Sequence, residues 1–412
     1  MKTLSLMCVL GLFACADGPQ TATPETHCAE RDCDDKIHED TGTQDDTDIN
    51  EDTGNEEEAS EPKTDQMFIL AGDDGVIAVG DAQGEHWQTS WPGDANEAFT
   101  RPDDGIYEWM SLFSTDQRVL IAGTDEHGES VVWETTNGFD WQEVTVENGQ
   151  GSLPLDGVTL DSGQEVFISA NAMFLSEPNS STLTRTYTLD EKPGKFTGLS
   201  SIATDGTQII VSKLDDHFLR STDGIQWSWS GDGEEDNHLQ DITYHKDRFV
   251  AVGTNHRAVF STDLGETWQD SGKDRDGDPR FSGECGRPDT WCDVRWDGNN
   301  FVVYERGRND IGPAMLWVSP DAVSWTGQAL TVPQAHFGDG TNSIHLGFTQ
   351  WEINEDNGSV TALEYVKKLV NQNDALPVLY RSTDGVQFEV INEEITGTPT
   401  LKRVTIFRPT SE

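Results

Sequence analysis

The chain has 412 residues, with 75 Asp and Glu against 27 Lys and Arg, and its formal net charge is −48. A field of this sign repels phosphate backbones, so the composition argues against nucleic-acid binding. The length is compatible with several ordinary domains or with one large all-β domain. The acidic surplus indicates either solubility in salty surroundings or attraction of cations and basic partners.

Residues 1–14 have the layout of an export signal. Lys2 supplies a positive start, and the apolar run from Leu4 to Phe13 is too short to span a bilayer. The sequence Leu12-Phe13-Ala14-Cys15 resembles the lipobox of bacterial lipoproteins, although Phe13 is bulkier than usual there. The resemblance implies that residues 1–14 are removed and that Cys15 is acylated, which anchors the protein to a membrane. The alternative is an ordinary secretory signal with an incidental cysteine.

The residue after Cys15 is Ala16, and Asp17 comes only after it. The usual signal for retention in the inner membrane, an Asp directly after the cysteine, is therefore absent. The resemblance thus implies a cell-envelope protein, either in the outer membrane or at the cell surface.

The segment 15–66 is predicted to be a disordered, acidic tether. Residues 16–66 contain 18 Asp and Glu, 3 Lys and Arg, and almost no large apolar side chains. Such a segment cannot bury enough apolar surface to offset the entropy of ordering, and its charges repel one another. We therefore expect the folded domain to comprise residues 67–412.

The cysteines are consistent with export. Cys8 belongs to the signal and Cys15 to the lipid site, which leaves two close pairs: Cys28 with Cys33, and Cys285 with Cys292. An even remainder in an oxidising compartment indicates two small-loop disulfides. A metal site is the alternative, although no zinc-type histidine pair accompanies these cysteines.

From Met67 onward, short β-rich runs alternate with turns rich in Gly, Asp and Asn, and one turn recurs. The fullest copy is Ser261-Thr-Asp263-Leu-Gly265-Glu-Thr-Trp268, and a worn copy at 80–87 keeps Trp87. The other copies share a first residue that is Ser or Thr, an Asp or Asn two positions later, and a closing aromatic: Thr135, Asn137 and Trp141; Ser221, Asp223 and Trp227; Ser319, Asp321 and Trp325; Ser382, Asp384 and Phe388.

The residue types in this turn have a physical reason. A hydroxyl and a carboxylate or amide oxygen can both accept hydrogen bonds from nearby backbone N–H groups. Glycine adopts the positive φ that a tight turn needs, and the closing aromatic can bury its ring between neighbouring sheets. The repeat therefore predicts a series of structural hairpins.

These copies resemble the Asp box, or BNR repeat, of sialidases, sortilin-type receptors, some xyloglucanases and photosystem assembly factors. The family consensus is Ser-x-Asp-x-Gly-x-Thr-Trp, which residues 261–268 match in full. The resemblance implies a β-propeller in which each box lies on the hairpin between the third and fourth strands of a blade. It also implies a structural role for the boxes and says little about activity.

The spacing of the closing aromatics, at 87, 141, 227, 268, 325 and 388, gives the number of blades. A four-stranded blade takes about 40–50 residues, so the interval from 141 to 227 holds one further, degenerate blade, with outer strands in 167–189. The sequence predicts an all-β, seven-bladed β-propeller of four-stranded antiparallel blades. The run Met67–Ala71 has no inner strand before it, and Leu401–Phe407 has no blade of its own. We expect these two to pair and close the ring, which removes two exposed sheet edges.

A sialidase would need an arginine triad, a Tyr–Glu pair and an acidic Asp. The chain offers Arg101, within Phe99-Thr-Arg101-Pro102, in the wrong order along the sequence. A strongly acidic propeller is also a poor host for an anionic sugar. A glycosidase that uses two carboxylates stays open, but acidic residues are too numerous to name a catalytic pair.

One acidic loop is a candidate cation site. Asp274, Asp276 and Asp278 alternate as ligands do in the first half of an EF-type calcium loop, although Pro279 replaces the required glycine. The alternative is a solvated acidic loop held by the Cys285–Cys292 bridge. Calcium is therefore the one cofactor that the sequence indicates, and none is required.

The sequence favours a monomeric binding or scaffold module of the cell envelope, with an extracellular protein or glycan as its partner. The alternative is a glycoside hydrolase on the same fold. A hydrolase should have converging carboxylates in a deep pocket on the face opposite the boxes, and a binder a shallow aromatic or charged face. Eight tryptophans lie outside the repeats: Trp91, Trp109, Trp133, Trp229, Trp291, Trp296, Trp317 and Trp351. Trp133 and Trp317 lie in strands that lead into boxes and are expected in the core. Some of the others could line a carbohydrate or peptide surface, and packing is the alternative for most of them.

Overall fold

The computed structural model describes residues 66–72, 77–82, 86–90, 108–125, 127–149, 152–189, 198–215, 217–231, 238–254, 257–271, 293–305, 314–333, 350–355, 357–367, 375–391 and 401–409. Every regular element in these ranges is a β-strand. Within them, no helix has the length and apolar character needed to cross a membrane.

The strands, in chain order, are β1 Met67–Gly72, β2 Ile77–Gly80, β3 Gln88–Ser90, β4 Glu108–Ser114, β5 Val119–Thr124, β6 Ser130–Thr135, β7 Gln142–Glu143, β8 Thr145–Glu147, β9 Asp156–Thr159, β10 Glu165–Ile168, β11 Ala172–Ser176, β12 Thr182–Thr188, β13 Leu199–Thr204, β14 Ile209–Lys213, β15 Phe218–Ser221, β16 Ser228–Ser230, β17 Leu239–His245, β18 Arg248–Gly253, β19 Ala258–Ser261, β20 Gln269–Ser271, β21 Arg295–Trp296, β22 Phe301–Glu305, β23 Met315–Ser319, β24 Thr326–Ala329, β25 Gln350–Ile353, β26 Val360–Lys367, β27 Ala375–Ser382, β28 Glu389–Val390 and β29 Leu401–Phe407.

These strands form seven sheets, the blades of a β-propeller. Blade 1 contains β1–β3 with β29, blade 2 β4–β7, blade 3 β8–β12, blade 4 β13–β16, blade 5 β17–β20, blade 6 β21–β24 and blade 7 β25–β28. The prediction of an all-β, seven-bladed propeller is confirmed.

The ring closes as the sequence predicted. β29 is the inner strand of blade 1 and pairs antiparallel with β1, so that Ile69 lies opposite Thr405 and Leu70 opposite Val404. The last strand of the chain thus completes the first blade, which leaves neither β1 nor β29 as a free sheet edge.

Blade 3 is the degenerate blade expected between positions 141 and 227. Its strands β9 to β12 form the usual antiparallel order, although no repeat turn lies within it. It differs from the predicted four-stranded pattern by a fifth strand, since β8 pairs parallel with β12 on its outer edge. The segment that connects blades 2 and 3 therefore adds an outer strand to blade 3.

The hydrophobic core lies between successive blades. Trp141 of blade 2 packs in one cluster with Met67 and Ile69 of blade 1. Trp268 of blade 5 stacks on Phe218 of blade 4, with ring centroids 3.6 Å apart. The other closing aromatics also pack against the blade that precedes them around the ring: Trp87, Trp227, Trp325 and Phe388. Full burial of a large apolar side chain contributes about 1.5–3 kcal/mol of hydrophobic stabilisation. The closing aromatic of each repeat therefore helps to hold neighbouring blades together, in addition to the role of the repeat in the turn.

The antiparallel order fixes what lies at each end of the propeller. The inner and third strands of a blade run in the same direction, so they finish at the same end. The turns between third and fourth strands therefore lie where the inner strands finish. We call this the repeat-turn end, and the other the opposite end.

Candidate functional site

The repeat turns have one common geometry. In blade 4, the Ser221 hydroxyl donates to Asp223 Oδ1 at 3.1 Å and accepts from the Gly224 N–H at 2.9 Å. The same Asp223 oxygen accepts from the N–H groups of Ile225 at 2.9 Å and Gln226 at 2.8 Å. Thr135 with Asn137, Ser261 with Asp263, Ser319 with Asp321 and Ser382 with Asp384 form the corresponding side-chain hydrogen bonds.

Glycine in these turns serves two purposes. Gly224 has φ 67° and Gly265 has φ 77°, in the region that favours glycine. A Cβ on Gly265 would lie 2.4 Å from Ile210 Cδ1 of the preceding blade, so glycine also permits the close approach of that blade. In the 319–325 turn, Ala322 takes the equivalent place with φ 57° and is fully buried.

The carboxylates of these turns are occupied by their own backbone. The N–H of Gln226 is the largest cause of a lowered pKa at Asp223, partly offset by burial. The pKa values of Asp263, Asp321 and Asp384 are lowered as well. Local donors thus hold at least one oxygen of each carboxylate, which supports a structural role for these turns.

Several residues singled out by the sequence lie outside the described residues. They are the lipid-site Cys15, the cysteines Cys28, Cys33, Cys285 and Cys292, and the candidate cation ligands Asp274, Asp276 and Asp278. Arg101 lies outside them too. Among the residues that the structure does describe, no group of three or more acidic, His or Cys side chains is arranged to hold a metal ion.

A channel of about 370 Å³ runs along the centre of the propeller and is lined by residues from all seven blades. Its lining includes four carboxylates and one guanidinium: Asp156, Asp241, Asp293, Glu352 and Arg295. These side chains come from blades 3, 5, 6 and 7, and they lie near the starts of the inner strands. The charged part of the channel is therefore nearer the opposite end than the repeat-turn end.

Arg295 joins three blades in this channel. Its Nε donates to Glu352 Oε2 of blade 7 at 3.1 Å, and its Nη2 donates to Oε1 at 3.3 Å. Its Nη1 donates to Asp241 Oδ2 of blade 5 at 2.6 Å. The Arg295 and Glu352 side chains are 30% and 13% exposed, so these are partly shielded ion pairs.

Asp241 and Asp156 share the hydroxyl of Ser201. Ser201 Oγ lies 2.6 Å from Asp241 Oδ1 and 2.8 Å from Asp156 Oδ2. Asp156 also accepts the N–H groups of Ile202 at 3.1 Å and Gly157 at 2.8 Å. Asp156 is therefore held by neutral donors alone.

Two carboxyl groups in the channel have pKa values raised toward neutral pH. Burial and the charge of Asp241 raise the pKa of Asp156 to about 6, although its hydrogen bonds act in the other direction. Burial raises the pKa of Asp293 to about 7; Arg295 opposes this change, and Asp241 and Glu352 add to it. Asp293 Oδ1 lies 3.9 Å from Arg295 Nη2, beyond hydrogen-bond distance. These groups can take up or release a proton, and they can accept hydrogen bonds from a ligand.

β-bulges place several side chains of this channel. The register shifts between Leu199 and Ser201 in β13, and between Leu239 and Asp241 in β17. An equivalent shift lies between Trp109 and Ser111 in β4. Since a bulge re-aims the residue that follows it, Ser201 and Asp241 turn toward one another across neighbouring blades.

A wider cavity of about 790 Å³ opens at the repeat-turn end and shares lining residues with the channel. His245 lies in it, stacked on Trp296 with ring centroids 5.4 Å apart. Burial lowers the pKa of His245 to about 4, so the imidazole is neutral at physiological pH. Its Nε2 is 3.8 Å from Glu355 Oε1, and this opening thus combines an aromatic pair with polar groups.

The sequence did not identify the charged residues of the channel. Asp156, Asp241, Asp293, Arg295 and Glu352 have no shared motif, and the chain contains 75 acidic residues. One signal exists once the blades are numbered: Ser201, Asp241 and Glu352 are each the third residue of an inner strand.

Comparison with known proteins supports the fold and nothing finer. No family model and no curated protein matches the chain. A putative 6-phosphogluconolactonase from Bacteroides uniformis is similar over 83% of this chain and 99% of its own, with 10% identity and a TM-score of 0.53.

Two further solved structures are similar at lower TM-scores. YCF48 from Cyanidioschyzon merolae matches 70% of this chain and 94% of its own, at 13% identity and a TM-score of 0.46. A catalytically inactive virginiamycin B lyase from Staphylococcus aureus, solved with quinupristin, matches 73% and 88%, at 12% identity and a TM-score of 0.46. The neighbours are seven-bladed β-propeller-like proteins with different functions.

Proposed function

We propose that the protein is a ligand-binding module of the bacterial cell envelope, and that its ligand enters the central channel. The observation that carries this proposal is the convergence of Asp156, Asp241, Asp293, Glu352 and Arg295 on one opening. A cavity with a few converging polar groups is the usual form of a small-ligand site. One guanidinium faces four carboxylates, so a ligand with a cationic or hydroxyl-rich end matches the channel better than an anion.

Binding is favoured over hydrolysis by the way in which the carboxylates are engaged. Asp241 and Glu352 are paired with Arg295, and Asp156 accepts from Ser201 and two backbone N–H groups. A hydrolase needs a carboxylate free to act as base or nucleophile and a second as acid. Three of the four groups would have to give up hydrogen bonds first.

A glycoside hydrolase is the second candidate, and two observations favour it. The first is that the carboxylates converge in a channel nearer the opposite end, which is the arrangement expected from the sequence for a hydrolase. The second is that Asp293 has a pKa of about 7, above the value of about 6 for Asp156 in the same channel. A carboxyl group that stays protonated at neutral pH is what general-acid catalysis of glycosidic cleavage requires. In this alternative, Asp293 is the acid.

An array of glycans and peptides, probed with the full chain, tests both proposals. Each hit is then assayed for turnover with the wild type and with Asp293→Asn and Asp156→Asn variants. Binding without turnover, weakened about tenfold or more by either variant, supports the binding module. Turnover that is lost in Asp293→Asn establishes the hydrolase. If neither variant weakens the binding or turnover of any hit, the channel is not the site and both proposals are overturned.

We propose that the repeat turns are Asp boxes and that the protein is a monomeric lipoprotein. The supporting observations are the lipobox-like sequence ending at Cys15 and the acidic composition of residues 15–66. In this arrangement, residues 1–14 are the signal, and the tether holds the propeller away from the outer membrane or cell surface. Mass spectrometry of the mature N-terminus tests the anchor, with Cys15→Ala as the control; an unacylated Cys15 in membrane fractions contradicts it.

Two disulfides, Cys28–Cys33 and Cys285–Cys292, belong to the same proposal because an exported chain meets an oxidising compartment. Peptide mapping without reduction tests them, and free thiols at all four positions would reject them. Calcium in the 274–278 loop remains a proposal as well. Isothermal titration with Ca²⁺ tests it, against a variant with Asn at Asp274, Asp276 and Asp278.

A further inference from the structure

Trp229 in blade 4 is an aromatic side chain that packing does not explain. It is 52% exposed, whereas Trp141, Trp296 and Trp317 are each less than a tenth exposed. In β16 it lies opposite Leu219, which is buried against blade 3. Blade 3 therefore covers Leu219 but leaves about half of the Trp229 side chain exposed to solvent. Tryptophan is enriched at interfaces where one part of the ring is packed and the other part meets water.

Polar side chains surround this indole in a fixed arrangement. Asp215 Oδ2 accepts from Lys213 Nζ at 2.5 Å, and Asp215 Oδ1 lies 3.1 Å from His217 Nδ1. His217 is 6.0 Å from the Trp229 ring and perpendicular to it, and Lys213 Nζ is 5.9 Å from the ring centroid. We call Lys213, Asp215, His217 and Trp229 the Trp229 cluster.

The hydrogen bonds define the tautomer of His217. Both groups next to Nδ1, the carboxylate and the backbone carbonyl of Asp215, are acceptors. The proton of the neutral imidazole therefore lies on Nδ1, and Nε2 carries a lone pair. The His217 side chain is 39% exposed and that of Asp215 is 29% exposed, so solvent reaches both.

We propose that the Trp229 cluster is a binding site for a neutral saccharide. A pyranose ring has an apolar C–H face, which suits the indole, and hydroxyls around its edge, which suit an imidazole lone pair and a carboxylate. A cationic ligand is disfavoured because Lys213 Nζ already lies near the ring. An anionic ligand is disfavoured by the net charge of −48.

This site is separate from the central channel. Trp229 lies on the outermost strand of blade 4, and none of the four residues of the cluster lines the channel. The cluster is at the opposite end of the blade from the repeat turn, since Lys213 and His217 flank the connection between β14 and β15. The inference therefore does not depend on the proposed function of the channel.

Affinity electrophoresis of the full chain in native gels tests the site, with xyloglucan, glucomannan, laminarin and dextran as four neutral probes. We expect at least one polysaccharide to retard the wild type. Trp229→Ala should raise the Kd for that polysaccharide at least tenfold, Trp229→Phe should raise it less because a ring remains, and His217→Ala should also weaken binding. Ile225→Ala is the matched control, because Ile225 is equally exposed in the same blade but at its repeat-turn end.

Thermal melts establish whether each variant is folded. If Trp229→Ala is unfolded, polysaccharide binding by Trp229→Phe and His217→Ala is compared with that of the wild type instead. The proposal is overturned if no probe retards the wild type. It is equally overturned if the folded Trp229 and His217 variants bind as the wild type does, or if Ile225→Ala weakens binding as much as they do.

Discussion

Arg295 of blade 6 and Glu352 of blade 7 are joined by two hydrogen bonds, of 3.1 and 3.3 Å, across the boundary between their blades. The same guanidinium reaches Asp241 of blade 5. One side chain thus fixes the relative positions of three inner strands. The channel is therefore a structural centre of the ring as well as its candidate ligand site.

Replacing Arg295 by Met should lower the free energy of unfolding by about 2–4 kcal/mol at pH 7.5. The variant leaves the carboxylates of Asp241 and Glu352 without their cation, which destabilises the folded state. Because the Arg295 side chain is 30% exposed, the loss of stability should be smaller than for a fully buried ion pair. The loss should be smaller at pH 5, where more of the channel carboxyls are protonated. Urea denaturation at both pH values measures this.

Arg220→Met is the control for that variant. Arg220 Nη2 lies 3.6 Å from Glu266 Oε1, beyond hydrogen-bond distance, and the Glu266 side chain is 68% exposed. We expect a change of about 0.5 kcal/mol or less. Equal losses in the two variants would contradict the special role of the channel pair.

The wild type should become less stable as the pH rises from about 4 to about 7.5. Asp156 and Asp293 have folded pKa values of about 6 and 7, above the ordinary value of 3.8, so the folded state holds these protons more tightly than the unfolded state does. The resulting stabilisation is present at low pH and is lost as the pH rises through the folded values. Melting temperatures measured between pH 3 and 8.5 test this. Asp293→Asn should make the melting temperature fall less steeply with rising pH. An unchanged pH dependence in that variant would contradict the raised pKa of Asp293.

Below about pH 4 the trend should reverse. Asp223, Asp263, Asp321 and Asp384 have lowered pKa values, so their contribution is present above the unfolded value and is lost as the pH falls. The melting temperature should therefore be highest between about pH 4 and 5. Asp223→Asn should make the melting temperature fall less as the pH drops below about 4. The variant should leave the pH dependence of the melting temperature near neutral pH unchanged.

Ser261→Ala should cost about 1–3 kcal/mol of stability, because it leaves the buried N–H of Gly265 without its 2.8 Å acceptor. Thr262→Ala, at the exposed neighbouring position, should change stability by less than about 0.5 kcal/mol. Chemical denaturation of both variants makes the comparison. If Thr262→Ala lowers stability as much as Ser261→Ala does, loss of the hydrogen bond between the Ser261 hydroxyl and the Gly265 N–H is not the cause.

Deletion of residues 401–412 should abolish cooperative unfolding. Without β29, blade 1 has no inner strand, and β1 becomes an open edge. Deletion of 410–412 alone is the control, since β29 ends at Phe407. Circular dichroism melts distinguish the two; a sharp melt in the longer deletion would mean that ring closure is dispensable.

The blades could be predicted from sequence because the features that define them are local. Ser261, Asp263 and Trp268 lie within eight residues of one another, and turn chemistry and ring packing act over that distance. The closing strand could be predicted by counting, because Met67–Ala71 lacks an inner strand and Leu401–Phe407 has no blade of its own. The fifth strand β8 was missed because three residues, Thr145–Glu147, carry too little pattern to be recognised.

The channel could not be predicted for the opposite reason. Asp156, Asp241 and Glu352 come together only when seven blades close into a ring, and no two of them belong to the same blade. The raised pKa values of Asp156 and Glu352 depend on burial and on the charge of Asp241, which sequence spacing does not show. The exposure of Trp229 was equally hidden, since it depends on how far blade 3 covers the outer strand of blade 4.

The pairing of residue 69 with residue 405 also bears on how the protein folds. Hairpins within each blade can form as the chain emerges, but the contact that completes blade 1 must wait for the last strand and pays the largest loop-closure entropy. Until then β1 can accept β29 from a second molecule, a route to domain-swapped dimers or longer chains. Dilute refolding should therefore favour the closed monomer, and crowded refolding the exchanged forms.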